Sequence, residues 1–250
     1  MVDMIKVEVA DLAGLSREQA AAFVRRRTAA EPEEDQSRPK LPTIDALNRV
    51  LPGGGLDRGA VVSYAGSSSP LLGMLAAATA AGEYTALINT PDRHGAVRSL
   101  HAFYELGGAL SRLFAVNCPT DDDRLITVLH NLMDGVSLVV SELHPRLLPP
   151  SRAKILFARA ASRRCTLVLL GPEHRIGGVD LRLSASCVGL EGLGPGRGRI
   201  TAQTFRIEAT GRDGRTRSGD FRKGPRPGGR MDWEWVEPSA EVIGLSTRAG

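Results

Sequence analysis

Between residues 60 and 170, short apolar runs alternate with stretches of helical composition, and this alternation restricts the fold more than any other feature of the chain. Strands are expected at Ala60 to Tyr64, Thr85 to Asn89, Arg112 to Val116, Val136 to Ser141 and Cys165 to Leu170. Helices are expected near Leu71 to Ala81, Ala96 to Leu106, Asp122 to Asp134 and Ser151 to Ser162. Apolar strands without polar alternation are buried on both faces, and strands separated by helices join in parallel through crossovers. The expected class is α/β, a three-layer sandwich with a mostly parallel central sheet. After Gly177 the pattern changes. In "GGVDLRLSASCVGLEG" and "GRITAQTFRIEAT", Val179, Leu181 and Leu183 alternate with Asp180 and Arg182, so antiparallel, half-exposed strands are expected to extend one edge.

A chain of 250 residues with 42% hydrophobic content buries a substantial core, and its length fits one domain with appendages. Residues 1–39 read as a helix and a linker: "SREQAAAFVRRRTA" opens with Ser16 and Gln19 in capping-box spacing, and the charged, proline-bearing "AEPEEDQSRPK" follows. In "PTIDALNRVL", Thr43 is the expected N-cap of a turn that carries Ile44, Leu47 and Leu51 on one face. Residues 40–210 form the expected domain. Residues 211–250 read as a flexible basic tail, because "GRDGRTRSGDFRKGPRPGGR" is too poor in apolar surface to offset its ordering entropy.

Several classes are disfavoured. The opening "MVDMIKVEVADLAG" places Asp3, Glu8 and Asp11 among its apolar residues, unlike a secretory leader, and no window has the length of a membrane span. Cys118, Cys165 and Cys187 are far apart without a CxxC pair, which points to a reduced, cytoplasmic protein rather than a disulfide framework or zinc site. The histidines are scattered, so no metal is expected, and "PTDDDR" reads as the acidic start of a helix.

The stretch "DRGAVVSYAGSSSPLLGMLAAATAAG" has the strand, loop and helix layout of a phosphate-binding P-loop. In GxxxxGK[ST] the glycines let backbone N–H groups wrap phosphate, the lysine neutralises charge and the hydroxyl holds magnesium. Laid on that spacing from Gly66 through Ser67, Ser68 and Ser69, the second glycine falls on Leu71, the lysine on Leu72 and the hydroxyl on Gly73. None of the three chemical positions is filled. The alternative is a plain strand-to-helix turn, whereas a P-loop descendant would retain a helix N-terminus that holds an anion weakly. "GVSLVVSELH" likewise resembles a Walker B strand, but Ser141 stands at the carboxylate position, and Glu142 lies one residue out of phase. No catalytic residue is expected, and no cofactor.

Around this loop the chain resembles a known family. "TIDALNRVLPGGGLDRGAVVSYAGSSS" is similar to the approach to the P-loop in RecA-type recombinases, and "GGVDLRLSASCVGLEG" to a later strand pair of the same fold. The "LPGGGL" form with a damaged P-loop and a basic extension resembles the ImuA and SulA-like group of RecA relatives, and most closely its actinobacterial ImuA-prime mutasome branch. The resemblance covers roughly residues 40–210 and implies a RecA-like domain. It also implies a non-catalytic adaptor in DNA-damage-induced mutagenesis, whose partners are an ImuB-type inactive Y-family polymerase homologue and an error-prone replicative-type polymerase. Recombinases place a glutamate after the second strand, whereas "TPDRHG" offers only Asp92. The alternatives are a RecA-family ATPase or recombination mediator, and a SulA-like inhibitor of cell division.

The C-terminal region carries two further candidates. Arg212, Arg215, Arg217, Arg222, Lys223, Arg226 and Arg230 suit weak, salt-sensitive contact with DNA or another polyanion, the alternative being a solvated tail. Trp233 and Trp235, both tryptophans of the chain, fall on one side of a short strand in "WEWVE". They read as a docking element, either for the partner or for the edge strand near Ile200 to Ile207 of the same domain.

Overall fold

The computed structural model describes residues 39–89, 100–117, 123–143, 147–171, 176–194, 197–226 and 230–237. Chain contacts separate residues 1–37 from Arg38–Gly250. The helix expected at 16–29 and its linker, together with Asp92 and Cys118, lie outside the described residues.

The strands are β1 (Lys40–Leu41), β2 (Leu56–Asp57), β3 (Val61–Gly66), β4 (Thr85–Asn89), β5 (Leu113–Asn117), β6 (Leu138–Glu142), β7 (Thr166–Leu170), β8 (Leu181–Gly194), β9 (Arg197–Gly211), β10 (Thr216–Pro225) and β11 (Met231–Val236). The α-helices are α1 (Ser68–Ala80), α2 (Leu100–Glu105), α3 (Asp123–Met133) and α4 (Pro150–Arg163). Nine strands form one sheet in the order β11-β10-β9-β8-β3-β7-β6-β4-β5. From β5 to β8 every pairing is parallel, and β8 to β11 pair antiparallel. The sheet is mixed and mostly parallel, with its antiparallel strands gathered at one edge.

Alternation along the central strands assigns the two faces. Val62, Leu87, Val140 and Val168 pack with α1 and with Phe103 of α2; Val61, Ala86, Val139 and Leu167 pack with Leu125 and Leu129 of α3 and Leu156 of α4. Helices thus cover both faces, which is why these strands carry apolar residues on both sides. α3 is amphipathic and buries only Leu125, Leu129 and Met133. α1 is apolar all round, because it lies between the sheet and a second cover made by Ile44, Leu47 and Trp233.

Two expectations are corrected. The "PTIDALNRVL" turn is a 3-10 helix, Asp45–Arg49, that starts after Ile44. Thr43 does not cap it, and its hydroxyl is buried without a hydrogen bond. The larger correction concerns residues 211–226 and 230–236 of the expected tail. They are not a flexible tail: β10 and β11 continue the sheet past the expected boundary at 210. Phe221 and Trp233 supply the apolar burial, at 1% and 7% exposure. The arginines are neutralised by acids on neighbouring strands: Arg206 on β9 pairs with Asp220 at 2.8 Å, and Arg222 pairs with Glu191 of β8 at 2.7 Å. "WEWVE" does pair within its own domain, but with β10 rather than with residues 200–207.

Candidate functional site

A single residue, Ser67, separates β3 from α1. Gly66 sits at φ 99°, Ser67 is extended, and α1 begins at Ser68. Phosphate binding requires consecutive backbone N–H groups turned into a concavity. Here the Ser67 N–H is spent on the Ala185 carbonyl of β8 at 2.8 Å, and the Tyr64 hydroxyl donates to the Ser67 carbonyl. Burial raises the Tyr64 pKa, which keeps the phenol protonated as that donor. The close approach to β8 admits no side chain, since a Cβ on Gly66 would lie 2.0 Å from the Ala185 oxygen.

Because the helix starts this early, the remaining P-loop positions fall inside it. Leu71 and Leu72 are core residues at 0% and 5% exposure. Gly73 faces Trp233 and Ile44, and a Cβ there would stand 2.7 Å from the indole nitrogen and from Ile44 Cδ1. An indole therefore occupies the space beside the position where a magnesium-holding hydroxyl would project. Ser69 accepts a hydrogen bond from Lys223 of β10 at 3.1 Å. Lys223 thus brings a cation to the first turn of α1 from a distant strand. Its burial lowers its pKa, and its ammonium lies 5.9 Å from the Phe205 ring centre.

On β6 the Ser141 side chain is fully buried and its hydroxyl donates to the Glu142 carbonyl at 3.2 Å. Glu142 is the last residue of the same strand, opposite Leu170, so the alternation of the strand separates the two side chains. Among the described residues no group of three His, Cys, Asp or Glu side chains is placed to hold a metal ion. No helix among them is long and apolar enough to cross a membrane.

The two tryptophans are built into the domain. Trp233 lies 5.5 Å from Phe205, ring centre to ring centre. Trp235 is half-buried, meets Phe221 edge-on at 5.2 Å and carries the Arg49 guanidinium 5.3 Å above its ring. The reading of Trp233 as a free anchor for a partner is thereby corrected: its apolar surface is consumed by its own sheet and by α1. The basic residues are likewise engaged. Arg212 pairs with Asp180, Arg215 with Asp213, Arg222 with Glu191 and Glu234, and Arg226 with Asp232. Arg217 also makes a contact. Lys223 is held by the Ser69 hydroxyl rather than by an acid, and Arg230 forms no ion pair among the described residues.

What the sequence does not announce is a cleft of about 930 Å³ between the end of α2, the first residues of β9, and Pro225, Arg230 and Met231 at the facing ends of β10 and β11. Met231 forms part of its wall and also part of a smaller cavity of about 190 Å³ beside Thr43, Gly73 and Trp233. In that cavity the Trp233 Nε1–H and the Thr43 hydroxyl are buried without partners. An unsatisfied buried donor costs about 1–3 kcal/mol. No local signal could reveal either space, because residues near 43, 104, 200 and 231 meet only through the strand order.

The comparisons fall on this same architecture. A family model described as the MT3502 N-terminal domain matches residues 49–175, from the end of the 3-10 turn past β7, and takes in the shortened loop, α1 and β6. The uncharacterized protein Rv3395c of Mycobacterium tuberculosis is 36% identical over 164 residues, a match that covers 63% of this chain and 76% of that protein. With its central sheet inside the matched range, the chain belongs to the MT3502 N-terminal domain family.

Proposed function

We propose that the protein is a non-catalytic adaptor of an error-prone translesion DNA synthesis complex in the DNA-damage response, a cytoplasmic RecA-like domain that binds an ImuB-type polymerase homologue. The observation that carries this reading is the loop after β3. A domain with the layout of a nucleotide-binding fold has a one-residue loop bonded to β8, leucines at the phosphate positions and an indole beside the metal position. Such a domain retains surfaces and strand edges for binding partners while lacking the groups that activate a phosphate. Co-expression with ImuB is expected to give a complex that co-elutes on gel filtration. Separate elution overturns the adaptor reading, and co-elution with the tubulin-like division protein instead favours the SulA-like alternative.

Lys223 favours a second reading, a RecA-family nucleotide binder whose lysine comes from β10. The missing carboxylate and hydroxyl argue against turnover. Calorimetric titration with Mg-ATP is expected to show affinity no better than about millimolar, worth about 4 kcal/mol. Micromolar binding would establish the second reading.

A further inference from the structure

We propose that the cleft between α2 and the outer strands binds an extended acidic peptide with apolar anchor residues, contributed by a partner protein. This deepens the adaptor reading and rests on it for the existence of a partner.

Arg206, Arg212, Arg222 and Arg226 of the outer strands are neutralised by Asp220, Asp180, Glu191 and Asp232. Arg199 and Arg230 are exposed, form no ion pair among the described residues, and both line the cleft. The cleft's carboxylate on α2, Glu105, is engaged by His101 at 3.2 Å. Two exposed cations without an ion pair among the described residues therefore share one concave place, and they attract an acidic ligand.

Apolar surface accompanies that charge. Tyr104 is 65% exposed and Ile200 46% exposed, and half-buried Met231 lies between the cleft and the smaller cavity. A cleft of about 930 Å³ is wide enough for several side chains. A nucleic acid fits less well, because among the described residues Tyr104 is the sole Phe, Tyr or Trp that lines the cleft. An acidic peptide uses both features: the arginines for its carboxylates and the Tyr104–Ile200–Met231 surface for an apolar side chain.

A random peptide library displayed on phage, selected against the intact protein, tests this. Enriched peptides are expected to combine Asp or Glu with Leu, Ile or Phe. Their fluorescein-labelled forms should bind about tenfold or more weakly to the Arg199→Glu, Arg230→Glu double variant. Both side chains are exposed, so the thermal midpoint of that variant should match the wild type. Absence of enrichment, enrichment of basic sequences, or equal binding to the variant overturns the proposal. So does oligothymidylate binding that the same substitutions abolish while peptide binding survives. If wild type co-elutes with ImuB and the double variant co-elutes equally, the cleft is not the docking site although the adaptor reading stands. If wild type itself does not co-elute, the adaptor reading fails first.

Discussion

Trp233→Ala is expected to destabilise the protein by about 3–5 kcal/mol, lowering the thermal midpoint by roughly 10 °C. The indole is 7% exposed, rests on Phe205 and fills the space above Gly73. Its removal leaves a void that α1 cannot close, because Leu71 and Leu75 hold the helix on the sheet. Trp235→Ala should cost far less, about 1 kcal/mol, since that ring is half-buried and shared with Arg49. Urea denaturation of both variants, followed by far-UV circular dichroism, measures the difference. A side chain held in reserve for a partner would leave the midpoint unchanged, so an unshifted Trp233→Ala transition contradicts the packing described above.

Gly66→Ala should be of comparable severity, about 3 kcal/mol or more. Two separate costs combine there. The backbone is at φ 99°, which a side chain tolerates poorly, and the new methyl would be driven to 2.0 Å from the Ala185 oxygen, a backbone atom fixed in β8. Gly82→Ala separates the two costs. Gly82 has a similar φ of 95° but nothing within 4 Å of the methyl position, so only the backbone strain, about 1 kcal/mol, remains. Equal destabilisation by the two substitutions would mean that the β3 loop does not lie against β8.

The central sheet was legible because its signal is local. β4 spans Thr85–Asn89 as the apolar run indicates, and the other parallel strands begin or end within two residues of expectation. The empty chemistry of the nucleotide site was legible for the same reason, since the leucines at 71 and 72 are themselves the statement. Residues 211–236 were not. A composition window weighs each segment against water, whereas Arg212 and Arg222 are balanced by Asp180 and Glu191, about 30 residues earlier on β8 or just before it. Gly73 shows the same limit: its sequence reveals a missing hydroxyl, but its reason is an indole 160 positions later. The cleft was illegible altogether, because its walls come from chain regions that only the strand order assembles.

The placement of β11 also dictates when during synthesis this domain can close. The helix at residues 68–80 is covered on its outer side by a strand at 231–236. While the ribosome adds the intervening residues, α1 and the Phe205 face of the sheet wait with apolar surface uncovered. Contacts of such long sequence separation form slowly, and unclosed strand edges invite aggregation. A chain that stalls before residue 233 would hold nearly all of its parallel sheet yet not the lid on its core. Dependence on trigger-type holdases, and rapid proteolysis of prematurely ended chains, follow from that single late strand.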